Sequence, residues 1–119
     1  MLKTVLVTGG AVRIGREISR AFATAGYRVV IHCHASLEPA RKLLRELEKV
    51  HPAGHLLVQA DLLQPGASEH LLPILEAEGV RLNCLVNNAS QYRRMPLVEA
   101  TEADFDQDYG INFRIPFQL

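Results

Sequence analysis

Four short apolar runs alternate with stretches in which apolar residues recur at helical spacing. Thr4-Val5-Leu6-Val7 is apolar and β-branched on both faces, as a strand covered on both sides of a parallel sheet must be. Ile14, Ile18, Ala21, Phe22 and Ala25 then repeat at helical spacing, and Gly26 stands where a C-terminal cap belongs. Residues 28–33 read as a second strand. Leu37, Ala40, Leu43, Leu44, Leu47 and Val50 mark one face of a second helix, stopped by Pro52 and Gly54. Residues 55–60 read as a third strand and residues 68–78 as a third helix, with Gly79 after it. Pro73 inside that helix predicts a kink or a late start. Residues 82–86 form a fourth strand, and residues 91–100 a loop. Thr101, with Asp104 three residues on, caps a fourth helix running to about Ile115.

Strands alternating with helices of this length predict a parallel sheet with helices on both faces. Right-handed crossovers then favour an α/β doubly wound sheet of the Rossmann type, with the first strand between the second and the fourth. Cys33 and Cys84 are the only cysteines and both fall in strands, so both read as buried thiols. In that strand order they lie two strand spacings apart, roughly 9–10 Å. That exceeds the ~7 Å limit between bridged Cα atoms, so both are expected to be free.

The 119 residues are about one domain's worth, with 48% hydrophobic and 22% charged residues. Thirteen Lys and Arg balance thirteen Asp and Glu, which argues against a nucleic acid or an anionic membrane held by bulk charge. The absence of Trp removes a favoured base-stacking residue. The cysteines lack metal-ligand spacing, so no metal is expected. Met1-Leu2-Lys3 leads straight into a strand, without the apolar stretch of a signal peptide, and no apolar run is long enough to span a bilayer. Together with the unpaired thiols this suggests a cytoplasmic setting.

The segment with the clearest chemistry is Thr8-Gly9-Gly10-Ala11-Val12-Arg13-Ile14-Gly15, which follows a strand and opens a helix. Small residues there let the backbone approach a pyrophosphate, Gly15 lets the helix pack close to the sheet, and free N–H groups at the helix start face the phosphates. A protein selecting NAD usually carries an acid at the end of the second strand to bond the ribose 2′-hydroxyl. Here that strand ends Ile31-His32-Cys33-His34-Ala35-Ser36, without an acid. A 2′-phosphate would instead meet Arg13, His34 and Ser36. The expected cofactor is therefore NADP(H). The alternatives are that Arg13 is a solvated surface charge and that Ser36 only caps the next helix. Glu38 lies beyond Ser36, in that helix's first turn.

Thr8, Gly9 and Gly15 stand in the glycine loop, Asp61 after the third strand, Asn87-Asn88-Ala89 after the fourth, and Asn112 with Pro116 in the last helix. In this the chain resembles the short-chain dehydrogenase/reductase family along essentially its whole length. It departs at Arg13, where the family has its middle glycine, and at Ser90, where the family usually has glycine. The resemblance implies a pyrophosphate site at Gly9, Arg13, Ile14 and Gly15. It implies an adenine site at Asp61 and Leu62, though Asp61 also suits the capping of a turn. Asn88, Ala89 and Ser90 would run beside the adenosine ribose. Asn112 would anchor a water in the family's proton relay, or else bond helix backbone near Pro116.

The family also needs a Ser, a Tyr and a Lys four residues after the Tyr. Tyr27, Tyr92 and Tyr109 have no Lys at that offset. Residues 1–119 are thus expected to be a single NADP-binding domain, incomplete at its C-terminal end, whose outer strands and catalyst lie past Leu119. Alone they should be inactive. The intact protein would be an NADP-dependent oxidoreductase, a homotetramer by resemblance.

Arg13 in the glycine loop, His32-x-His34-x-Ser36 after the second strand and Asn87-Asn88-Ala89-Ser90 after the fourth occur together in the pteridine reductases, which reduce pterins or folates with NADPH. Tyr92 stands where those enzymes stack the pterin on an aromatic ring, and Ser90 would also reach the substrate. Ala35 stands where they often have Arg. The alternatives are a general NADP-dependent reductase of carbonyl or 3-oxoacyl compounds, a non-catalytic NADP-binding module, and a scaffold whose nucleotide site stays empty.

Overall fold

The computed structural model describes residues 1–119. Four strands, β1 (Thr4–Val7), β2 (Arg28–Cys33), β3 (Leu56–Gln59) and β4 (Cys84–Val86), form one parallel sheet in the order β3-β2-β1-β4. Helices α1 (Arg13–Thr24), α2 (Leu37–Val50) and α3 (Ala67–Ala77) connect them. The chain then runs through a 3₁₀ turn, Leu97–Glu99, into α4 (Glu102–Tyr109), a π-helical turn, Gly110–Arg114, and the short α5 (Ile115–Gln118). This is the expected doubly wound sheet, with β1 between β2 and β4.

Alternation along the strands sorts the core into two layers. Val5, Val7, Val29, Ile31 and Cys33 point to one face and pack with Ala23, Ala40, Leu43 and Leu47 of α1 and α2. Leu6, Val30 and Val58 point to the other and pack with Leu71 and Leu75 of α3 and Ile115 of α5. Both faces of β1 and β2 are therefore dry, which is why Val5, Leu6 and Val7 and then Val29, Val30 and Ile31 run apolar without alternation. The glycines placed at helix ends act as expected. Gly26 and Gly79 take φ of 89° and 67°. Beyond them Tyr27 donates its N–H to Phe22 C=O at 3.0 Å and Val80 to Leu75 C=O at 2.9 Å, closing both helix ends.

Three expectations change. Helix α3 begins at Ala67 and does not wait for Pro73: Ser68, Leu71 and Leu75 form its buried face and Pro73 lies on the exposed one. The fourth helix is not continuous to Ile115. Pro116 lacks the N–H that would bond Asn112 C=O in an unbroken α-helix, and the chain widens into the π turn just before it. The cysteines are both free, but only Cys33 is buried; Cys84 is partly exposed. Burial pushes the Cys33 thiol above its ordinary pKa, so it stays protonated and unreactive.

Candidate cofactor site

The C-terminal ends of the four strands open into one cleft of about 710 Å³. Its walls come from the turn after β1 with the start of α1, the end of β2, the turn after β3, and the segment after β4. A doubly wound sheet places ligands there because the crossover helices diverge at that edge. All eleven residues expected to bind the cofactor line this one cleft: Gly9, Arg13, Ile14, Gly15, His34, Ser36, Asp61, Leu62, Asn88, Ala89 and Ser90.

The floor is set by close backbone approach. Gly9 takes φ 60°, and a Cβ there would stand 3.1 Å from Ala89 Cα. A Cβ on Gly15 would overlap the Gly9 carbonyl oxygen and stand 2.6 Å from Asn88 Nδ2. So α1 meets the turns after β1 and β4 at a distance only glycine allows. The Ser19 hydroxyl, inside α1, donates to Gly10 C=O at 2.9 Å and holds the turn from behind. The first backbone bond of α1 runs from Arg16 N–H to Val12 C=O at 3.1 Å, and no side chain caps the helix. The N–H groups of Arg13, Ile14 and Gly15 have no acceptor within the protein and point out of a helix start.

Arg13 is the one non-glycine residue with positive φ, at 51°. It stands where the family pattern has glycine, so the backbone keeps the glycine-like conformation and carries a cation into it. Such a conformation costs of order 1–2 kcal/mol and is a mark of functional sites. The guanidinium forms no ion pair with the protein, whereas Arg16 and Arg20 pair with Glu17. Ser36 holds the N-cap position of α2, yet its hydroxyl makes no capping bond. Glu38 lies in the first turn of α2 and is paired with Arg41 at 2.6 Å. Arg13, His34 and Ser36 thus line one cleft, in which the only carboxylate is that of Asp61, after β3.

Asp61 does cap the turn after β3. Its Oδ1 accepts the Leu63 N–H at 3.0 Å, its C=O accepts the Gln64 N–H at 3.0 Å, and Oδ2 lies 3.8 Å from His34 Nε2. A carboxylate has about four acceptor sites, so capping leaves it able to bond a ligand.

Asn112 does not reach backbone near Pro116. It reads the segment after β4 instead: its Oδ1 accepts Gln91 N–H at 3.0 Å and its Nδ2 donates to Gln91 C=O at 2.9 Å. Two residues on, Arg93 pairs with Asp104 of α4 at 3.1 Å. Tyr92 sits between these two clamps, 87% exposed and outside the residues that line the cleft. Asp104 and Thr101 form the expected capping box, with Thr101 N–H donating to Asp104 Oδ2 at 2.9 Å and Asp104 N–H to Thr101 Oγ1 at 3.2 Å.

Five lining residues were given no site role by the sequence reading: Val12, His32, Leu63, Gln91 and Ile111. Four flank residues already singled out and could have been found by adjacency. His32 is different. It is 2% exposed, inside β2, and nothing in a strand pattern marks which way its ring bonds.

A family model described as short chain dehydrogenase matches residues 3–119. The chain belongs to that family. Similar proteins include a short chain dehydrogenase/reductase of Macrophomina phaseolina, 32% identical over 116 residues, 97% of this chain and 66% of that protein. Another is a short chain dehydrogenase of Pseudocercospora fijiensis, 35% identical over 120 residues, 98% of this chain and 38% of that protein. A third is a sorbitol dehydrogenase of Cereibacter sphaeroides, 33% identical over 110 residues, 92% of this chain and 41% of that protein. The chain therefore spans between about two fifths and two thirds of these relatives' lengths. Short chain dehydrogenases bind nicotinamide nucleotides, and the residues of this cleft fit one. Gly15 supplies the backbone clearance, and the start of α1 the phosphate-facing donors. No helix is long and apolar enough to cross a membrane.

Proposed function

We propose that the whole protein is an NADPH-dependent reductase and that its substrate is a pterin or folate. One observation carries the cofactor choice: Arg13, His34 and Ser36 line the cleft where an NAD-selective protein would place an acid. Arg13, Ile14 and Gly15 would hold the pyrophosphate, with Asp61 and Leu62 at the adenine and Asn88, Ala89 and Ser90 along the ribose. The bound nicotinamide supplies the hydride. The residues of this chain bind and orient it, and Asn112 fixes the segment that carries Ser90 and Tyr92 beside it. Tyr92 offers an aromatic face for a flat heterocycle, held between the Gln91 and Arg93 clamps.

The test is oxidation of NADPH by the full-length protein with dihydropterin, dihydrofolate, a 3-oxoacyl thioester and a sugar. Turnover of the first two supports the pterin reading. Turnover of only the others replaces it with a general carbonyl reductase, a reading favoured by the exposure of Tyr92 and by the sorbitol dehydrogenase among the relatives. Phe105, Tyr109 and Phe113 stack along an exposed face, with ring centroids 5.8 and 5.3 Å apart, which supports a homo-oligomer paired through that face.

A further inference from the structure

His32 belongs to none of the roles above, yet both nitrogens of its buried ring are hydrogen-bonded. Its Nδ1 accepts the Gly9 N–H at 3.0 Å. A ring nitrogen that accepts carries no proton, so the proton is on Nε2, which donates to Ala60 C=O at 2.8 Å. The backbone of the same residue accepts the Gly10 N–H at 3.0 Å. One buried residue of β2 thus takes up the N–H groups of both glycines after β1. It also ties them to the residue before Asp61.

We propose that His32 is a positioning residue for the nucleotide: its neutral imidazole is a strut that fixes the phosphate-side turn relative to the adenine-side turn. The proposal rests on the cofactor reading above. Two consequences follow from the bonding. Gly9 and Gly10 have no N–H left for a phosphate, so the donors facing it are those of Arg13, Ile14 and Gly15. And only the neutral ring can serve, because an imidazolium would turn an N–H toward the N–H of Gly9. Neither β1 nor β3 contains an ionisable residue. The ionisable groups that share the cleft with the ring are His34 after β2, Asp61 after β3 and Arg13 at the start of α1. Burial holds the imidazole below its ordinary pKa; the bond to Ala60 works against this, and the charge of His34 adds to it. The strut is therefore intact at neutral pH and lost on acidification.

The test uses the full-length protein. ¹⁵N NMR of the histidine rings should show His32 as the Nε2–H tautomer at neutral pH, and exchange of the Gly9 amide should accelerate as the ring protonates. His32→Phe, which keeps a ring and removes both bonds, should weaken NADPH and NADH by a similar factor, on the order of tenfold. His32→Asn restores an acceptor close to the Nδ1 position. It should recover part of that affinity and flatten the acid limb of the binding curve, with folding checked by the melting temperature. A proton on Nδ1 in the unmutated protein overturns the proposal, as does unchanged affinity in both variants. Loss confined to NADPH also overturns it, because His32 would then act at the 2′-phosphate. A protein that binds neither nucleotide, yet shows the Nε2–H tautomer and acid-dependent Gly9 exchange, removes the cofactor reading and leaves the strut standing.

Discussion

Asn88 donates two hydrogen bonds to Thr8, 80 residues away: its N–H to Thr8 Oγ1 at 3.0 Å and its Nδ2 to Thr8 C=O at 3.1 Å. The same Nδ2 reaches Gly9 C=O at 3.1 Å. The ends of β1 and β4 are thereby locked at the point where the cleft opens, and the turn over which a pyrophosphate would lie has little freedom left. Asn88→Ala leaves two carbonyls without their donor and should cost of order 1–3 kcal/mol. Asn88→Asp should cost more, since it aims a carboxylate at both carbonyls. Urea unfolding of the two variants checks the order; equal stability would show that the amide is not what closes the turn.

Gly15→Ala should be worse for binding than for folding. The added methyl meets the Gly9 carbonyl and the Asn88 amide, so α1 must move away from the turn. Overpacking of this kind costs about 1–3 kcal/mol. Nucleotide titration should show near-complete loss of binding in a protein that still melts cooperatively.

Arg13 carries two opposed effects that one pair of variants separates. Arg13→Gly relieves the positive φ and should stabilise the protein by about 1 kcal/mol. Arg13→Ala keeps the backbone strain. Both remove the guanidinium and should weaken NADPH more than NADH, on the order of tenfold for a charge-assisted contact. Fluorescence titration with both nucleotides, beside melting curves, reads the two effects independently. Equal affinity of the unmutated protein for NADPH and NADH would refute the 2′-phosphate role.

Tyr92→Ala should raise KM for dihydropterin several-fold and leave NADPH affinity nearly unchanged, since loss of one stacking face is worth about 1 kcal/mol. Arg93→Ala frees the neighbouring clamp and should move the same parameter in the same direction. Steady-state kinetics on both variants distinguishes a substrate wall from an idle surface ring.

The start of α4 should be acid-labile. Asp104 is held below its ordinary carboxylate pKa, first by the Thr101 N–H, then by the Thr101 hydroxyl and by Arg93. A depressed folded pKa gives stability that is present above the unfolded value and is lost as pH falls through the folded one. Amide exchange at Thr101–Phe105 should therefore rise below about pH 4, and Asp104→Asn should remove most of that dependence.

The sequence alone determined the layers and the place of the cleft. Apolar runs of four to six residues against helical repeats identify strands and helices, since a parallel sheet covered on both sides has no polar face to interrupt them. Glycine after a strand and before a helix marks the cleft because close backbone approach demands it, and the eleven residues expected to hold the cofactor line it because they stand at strand ends. The tertiary structure decided which polar groups meet. His32 bonds partners 23 and 28 residues away, and Asn112 bonds Gln91, 21 residues back. Those pairings depend on strand order and register, which bring distant turns side by side, and on a π turn that sets the helix face. Periodicity reports the face a residue occupies. Only the assembled sheet sets the partner, because a hydrogen bond needs its donor and acceptor within about 3 Å.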